Sequence, residues 1–200
     1  MKGSLIILSF FLLGCLLGRF DVVPMWMKDD AVTTYALYLL LFVVGMSIGF
    51  DTRCWRILRE MHLKVLLVPL FVIIGTFLGA AGAWLLLPDM ALRDVLGVGA
   101  GFGYYSLSSL MISNMGNPVL GSIALLSNII RELTTLLAAP LLVRYFGSLG
   151  PVASGGATSM DTSLPVIVKF TSERYGIVAV FSGMTLTVAV PFLVTFIFSY

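Results

Sequence analysis

Three ionisable side chains fall in the middle of long apolar stretches, where charges are rare. Arg131 and Glu132 lie near the centre of the stretch 118–146, and Asp161 lies in the middle of 151–170. A charge at the centre of a membrane helix costs about 2.5–3.5 kcal/mol on insertion scales, so such residues usually face a bundle interior or a cavity and mark a pathway. We therefore interpret these three residues as candidates for a path taken by an ion or a solute.

Two interpretations of these charges are open. In the first, Arg131 pairs with Asp161 across helices and only stabilises the bundle, which leaves Glu132 unexplained. In the second, Glu132 and Asp161 line a cation or proton site, and Arg131 is a counter-charge or a gate. Asn128 precedes Glu132 by four residues and shares its helix face, so one side of this helix is polar through its centre and cannot face lipid.

A break in the helix is expected close to Asp161. Gly155 and Gly156 precede it and Pro165 follows it. Glycine costs about 1 kcal/mol and proline about 3 kcal/mol in a helix interior, and non-helical backbone survives at membrane depth only inside protein or beside a water-filled cavity. The pattern predicts a discontinuous helix whose free ends attract charged groups. The hydroxyl side chains around Asp161 are those of Thr158, Ser159, Thr162 and Ser163.

A second glycine-rich stretch lies within 95–115. Glycines at alternate positions from Gly97 to Gly103 give small-xxx-small spacing, which favours close helix packing, but they also permit a broken helix. Tyr104 and Tyr105 follow, and their ring faces could either contact a cation or pack against neighbours.

The elements that position these residues follow from composition. Of 200 residues, 59% are hydrophobic and 11% are charged. Soluble domains carry roughly 25% charged residues. The mean hydropathy is +1.05. These values exclude a soluble domain, and a net charge of +2 without a basic tract argues against a nucleic acid partner. Two cysteines and one histidine predict no disulfide framework, no metal site and no cofactor.

The fold class predicted is an all-α polytopic membrane protein, with residues 1–200 forming a single membrane transport domain in the lipid bilayer. We expect five to seven membrane segments, including one broken (discontinuous) helix. The apolar segments are 3–20, 31–50, 63–87, 95–115, 118–146, 151–170 and 175–199. Lysine and arginine cluster in the 51–64 loop, which predicts that this loop and the N-terminus are cytoplasmic and that the C-terminus lies outside.

Three stretches resemble the bacterial lysine exporter family of the LysO type. They are 103–108, which begins Gly-Tyr-Tyr-Ser, 128–132, which reads Asn-Ile-Ile-Arg-Glu, and 155–165, which contains Asp161. The resemblance implies export of L-lysine and lysine analogues across the cell inner membrane, with Glu132 and Asp161 in the export path. It also adds Ser106 to the candidate binding residues.

The resemblance further implies a fold similar to cation/proton antiporters and bile-acid transporters, in which two broken helices cross. Segment 151–170 fits one crossing helix. The other is expected from a first repeat that the first two segments share with helices found in the longer single-chain members. A small membrane partner chain that supplies those helices is therefore implied.

Coupling and competing functions are open at this point. Proton release from Glu132 or Asp161 on lysine binding would make export a proton-coupled antiport, with Na⁺ as the other coupling ion. Export of arginine or another cation, and a non-transporting sensor or channel, are the alternatives. An intramembrane protease is disfavoured, because no second deep aspartate accompanies Asp161 and neither His62 nor Lys169 is a membrane-embedded base. We therefore expect that the protein is not an enzyme.

Overall fold

The structure is a computed structural model that describes residues 63–199 continuously, together with helical positions 16, 17, 35, 38, 39, 42, 43, 46 and 50. The chain divides into two compact units, Met1–Leu39 and Leu40–Tyr200, and the following description concerns residues 63–199 of the second. The predicted segments 3–20 and 31–50 and most of the 51–64 loop lie outside the described residues.

Three helices of this region are long and apolar enough to cross a membrane. After a 3-10 turn at Leu63–Leu66, α1 covers Leu67–Trp84, while α4 covers Pro118–Phe146 and α7 covers Glu173–Ser199. A spanning helix needs about 17–25 residues, which all three provide. The segments predicted at 63–87, 118–146 and 175–199 are therefore confirmed as helices, and the membrane assignment is confirmed with them.

The ends of α4 follow from local chemistry. Asn117 precedes the helix, and its side chain accepts a hydrogen bond from the Leu120 N–H at 3.0 Å. Pro118 occupies the first turn, where its missing N–H costs nothing. Gly147, with φ of 73°, ends the helix. The helix therefore has defined ends and carries the central polar residues Asn128, Arg131 and Glu132.

The predicted segment 95–115 is broken. It consists of α2, Leu92–Gly99, and α3, Tyr105–Asn114, with a short non-helical stretch between them. Phe102 has φ of 45° and Gly103 has φ of 99°, so two consecutive residues leave the helical conformation. Of the two possibilities that the glycine run allows, a broken helix is the one adopted.

The predicted segment 151–170 is also broken, as expected. It contains α5, Gly150–Gly155, a 3-10 turn at Gly156–Met160, and α6, Leu164–Phe170. Gly156 has φ of 61°, a conformation that side chains rarely adopt, and it marks the point where the α-helix ends. The break predicted near residues 155–156 is thus confirmed at the expected position.

The two broken segments contact each other directly at their breaks. The Ala157 N–H donates to the Phe102 carbonyl oxygen at 2.8 Å. A side chain at Gly156 would collide with that same carbonyl, and one at Gly103 would lie 2.8 Å from the Gly155 oxygen. Residues 100–104 therefore contact this break directly. The crossing helix expected from a first repeat stays a prediction, since the first two segments lie outside the described residues. Glycine at both breaks lets the two backbones touch.

Candidate functional site

Asn128 fixes the break between α2 and α3. Its side chain is buried on α4, with 3% exposed. The Oδ1 atom accepts from the Gly103 N–H at 2.8 Å, and the Nδ2 atom donates to the Ala124 carbonyl oxygen at 2.8 Å. The amide thus satisfies a backbone donor that the helix break would otherwise leave unpaired. Asn128 lies outside the cavity described below.

Arg131 fixes the other break. Its Nε donates to the Ser154 oxygen at 2.8 Å and its Nη2 to the Ala153 oxygen at 3.1 Å, while Nη1 donates to Thr76 Oγ1 at 3.3 Å. Carbonyls at the C-terminal end of a helix carry partial negative charge and lack intrahelical donors. Arg131 therefore neutralises the free end of α5.

The pairing of Arg131 with Asp161 does not occur within the described residues. The guanidinium makes the three hydrogen bonds above, and no carboxylate of the described part of the chain forms an ion pair with it. The pairing assumed in the first interpretation of the central charges is therefore wrong. Of the roles in the second interpretation, a counter-charge agrees with these contacts, although what Arg131 balances is backbone and not a carboxylate.

Hydroxyl groups satisfy the unwound backbone between α5 and α6. Thr158 Oγ1 donates to the Gly155 oxygen at 3.0 Å and lies 3.2 Å from Ser163 Oγ. Ser159 Oγ lies 2.6 Å from the Gly156 oxygen and 3.0 Å from the Ala179 oxygen on α7. These buried side chains hold the 3-10 turn in place, and of the three only Thr158 also reaches the cavity.

A cavity of about 200 Å³ lies beside the two breaks. Of the residues predicted for the site, six line it: Tyr104, Tyr105, Ser106, Thr158, Asp161 and Thr162. Seven do not: Asn128, Arg131, Glu132, Gly155, Gly156, Ser159 and Ser163. The lining also includes Gly103. Three further lining residues were not singled out for the site from the sequence: Ala157, Met160 and Thr187.

The two acids occupy different positions relative to this cavity. Asp161 lines it and is exposed, whereas Glu132 is half-buried on α4 and outside the lining. Tyr105 lies within electrostatic range of both carboxylates, and Tyr104 within range of Asp161 alone. Within the described residues, neither carboxylate has a hydrogen-bond or ion-pair partner. Tyr105 therefore lies near both acids.

The first turn of α3 also reaches the cavity. Tyr105 and Ser106 belong to this turn and line the cavity wall, and no side chain caps its N-terminus. Uncapped N–H groups at a helix N-terminus, together with the helix dipole, attract anionic groups. The cavity consequently combines an acid, which suits a cation, with a helix end, which suits an anion.

Comparison with known proteins gives consistent matches. A family model described as "Lysine exporter LysO" matches residues 8–198. The Escherichia coli K12 protein named "Lysine exporter LysO" is 31% identical over 163 residues, which are 81% of this chain and 53% of that protein. The Haemophilus influenzae protein named "Putative lysine exporter" is 27% identical over 200 residues, which cover 97% of each chain.

The chain spans about half the length of the Escherichia coli relative. No solved structure matches it significantly.

Proposed function

The chain belongs to the lysine exporter LysO family, and we propose on that basis that it exports L-lysine, and lysine analogues, across the bacterial inner membrane. The observation that carries this proposal is the cavity in which Asp161 and the uncapped first turn of α3 lie together. A free amino acid is a zwitterion, so it has one group for each of these two features.

The cavity has the chemistry that lysine requires. The Asp161 carboxylate would hold the ammonium groups of lysine, and the ring faces of Tyr104 and Tyr105 would add cation–π contacts. The α-carboxylate would be held by the first turn of α3. The cavity volume is about 200 Å³. This is below the ~300–1,000 Å³ typical of pockets for drug-sized ligands, which favours a small solute.

The two acids divide the work of binding and coupling in this proposal. Asp161 binds the cargo, since it lines the cavity. Glu132, which lies outside the cavity but within electrostatic range of Tyr105, carries the coupling ion. A proton taken up from outside by Glu132 would be released to the cytoplasm as lysine leaves, so that protons enter the cell in exchange for expelled lysine. Na⁺ in place of the proton is the other outcome of the test.

Membrane placement completes the proposal. Residues 1–200 act as one transport domain that is not an enzyme, with the N-terminus and the 51–64 loop cytoplasmic and the C-terminus outside. We further propose that a small membrane partner chain complements this domain, since the chain spans about half the length of the Escherichia coli relative.

Lysine efflux from bacteria that lack their own lysine exporters tests the proposal. Cells loaded with a lysine-containing dipeptide would express no protein, the wild type, Asp161→Asn or Glu132→Gln, each with and without a small partner. Asp89→Asn and Glu173→Gln are matched controls, since both residues are exposed outside the site. We expect efflux from the wild type and both controls and strongly reduced net efflux in the two site variants.

Two results would contradict the proposal. Efflux from Asp161→Asn at the wild-type rate would show that this carboxylate does not bind the cargo. An absence of lysine efflux in every arm, with the chain inserted in the membrane, would exclude lysine as the cargo, and arginine loaded in the same way would then be measured.

A further inference from the structure

One residue of the cavity wall has no role in the proposal above. Thr187 lies on α7, 2% of its surface is exposed, and it lines the cavity. Its Oγ1 atom is buried and has no hydrogen-bond partner among the described residues. A buried hydroxyl without a partner is unfavourable. Because Thr187 also lines the cavity, rotation about its Cα–Cβ bond would bring this hydroxyl to an occupant.

Thr187 lacks a hydrogen bond that several other threonines of the described chain make to their own helix. A threonine in a helix can donate to the carbonyl oxygen four residues earlier. Four threonines in the described helices or at their ends do so at 2.6–3.0 Å: Thr134, Thr135, Thr171 and Thr185. The corresponding acceptor for Thr187 is the Gly183 oxygen, and this bond is not made. The hydroxyl proton of Thr187 is therefore free for another acceptor.

The face of α7 that carries Thr187 is the one packed on the break. Gly183 lies one turn before Thr187 and shares its helix face. A side chain at Gly183 would lie 2.7 Å from Met160 Cβ and 2.9 Å from the Ala157 oxygen. The contact with residues 157–160 therefore fixes the position of this face, and Thr187 lies on it in the cavity wall.

We propose that Thr187 is a substrate-binding residue whose hydroxyl donates a hydrogen bond to the α-carboxylate of the transported amino acid. This inference rests on the proposed lysine export. Asp161 accounts for the ammonium end of the cargo, and the first turn of α3 accounts for a carboxylate in the same cavity. A hydroxyl with a free proton in that wall complements the carboxylate, and it would distinguish amino acids from diamines that lack this group.

Uptake of labelled L-lysine into inside-out membrane vesicles, made from cells that express the full chain with the small partner, tests the inference. Thr187→Val removes the hydroxyl and keeps the shape, Thr187→Ser keeps the hydroxyl, and Thr185→Val is the matched control on the same helix. We expect Thr187→Val to raise the KM for lysine about tenfold or more, as for loss of one hydrogen bond to a charged group, with little change in kcat. Thr187→Ser and Thr185→Val should retain a KM close to that of the wild type.

Competition by cadaverine, which is lysine without its carboxylate, adds a measurement that a purely structural role would not move. Its inhibition should be the same for the wild type and Thr187→Val. A wild-type KM for lysine in Thr187→Val, or equal weakening of lysine and cadaverine, would overturn this inference while lysine export stands. Wild-type vesicles that accumulate no lysine would overturn the proposed function and this inference together.

Discussion

Asn128 and Arg131 lie one turn apart on the same helix, and each bonds to the break of a different broken segment. The Asn128 Oδ1 accepts from the Gly103 N–H, and the Arg131 Nε donates to the Ser154 oxygen, both at 2.8 Å. An acceptor and a donor on one helix face thus satisfy an orphan N–H and an orphan C=O at the crossing. We interpret α4 as the element that holds the two breaks together.

Removing the amide of Asn128 should destabilise the protein. Asn128→Ala leaves the buried Gly103 N–H without an acceptor, which costs about 1–3 kcal/mol. The thermal midpoint of the purified protein should fall accordingly, and lysine efflux should fall with it. Asn114→Ala, at the exposed end of α3, is the control and should leave the midpoint unchanged. Equal midpoints for the two variants would show that the Asn128 bond contributes nothing.

Replacing Arg131 should separate charge from geometry. Arg131→Lys keeps the charge but loses the planar fork that reaches two carbonyls and Thr76, so we expect weak efflux. Arg131→Gln loses both and should abolish efflux and lower the thermal midpoint. Arg144→Gln, exposed near the end of α4, serves as the control. An Arg131→Gln protein that is as stable and active as the wild type would contradict the role in holding α5.

A single methyl group added at Gly156 should prevent the two broken segments from crossing. Gly156→Ala places a Cβ against the Phe102 carbonyl in a positive-φ conformation. The backbone strain alone costs about 1–3 kcal/mol before the collision is counted. We expect little folded protein in the membrane, measured by protease resistance. Gly79→Ala on α1 is the matched control, since a Cβ there meets nothing within 4 Å. Normal folding of Gly156→Ala would mean that the backbones do not touch.

A pH gradient should drive transport, with a direction fixed by the antiport. In inside-out vesicles the lumen corresponds to the outside, so an acidic lumen should drive labelled lysine inward while protons leave. A protonophore should abolish this accumulation, and replacing Na⁺ by K⁺ should not. Lysine accumulation that is independent of the pH gradient, or that requires Na⁺, would exclude protons as the coupling ion.

The two acids should fail in different ways in that assay. Asp161→Asn removes the ammonium partner in the cavity, so the KM for lysine should rise about tenfold or more. Glu132→Gln leaves the cavity lining intact and should permit lysine exchange at equilibrium while eliminating the response to pH. Identical defects in the two variants would show that both acids serve one step.

Some parts of this architecture follow directly from sequence. The apolar stretch 118–146 coincides with α4, and the Gly155-Gly156 pair marks the observed break, because paired glycines penalise a helix. The stretch 95–115 is ambiguous from sequence, since alternating glycines satisfy both a packing motif and a break. The positive φ of Phe102 that decides it depends on the contact with Ala157, which is distant in sequence.

Side-chain roles were less predictable than helices. The position of Arg131 suggests a pathway charge, yet its partners are carbonyls on another helix, which no local pattern reveals. Thr187 is one of several hydroxyl residues in α7, and only the missing bond to Gly183 and the adjoining cavity distinguish it. The family resemblance indicated the two acids, but not that one lines the cavity and the other lies outside it.

The hydrogen bond from Ala157 to Phe102 constrains how the protein can open to each side of the membrane. A backbone bond between two unwound stretches cannot stretch by more than a few tenths of an ångström and survive. In the proposed transport cycle, an intact bond would make the two broken segments move together at the crossing. Alternating access would then come from elements that slide past these two segments, and the cargo would meet the same cavity walls on both faces of the membrane.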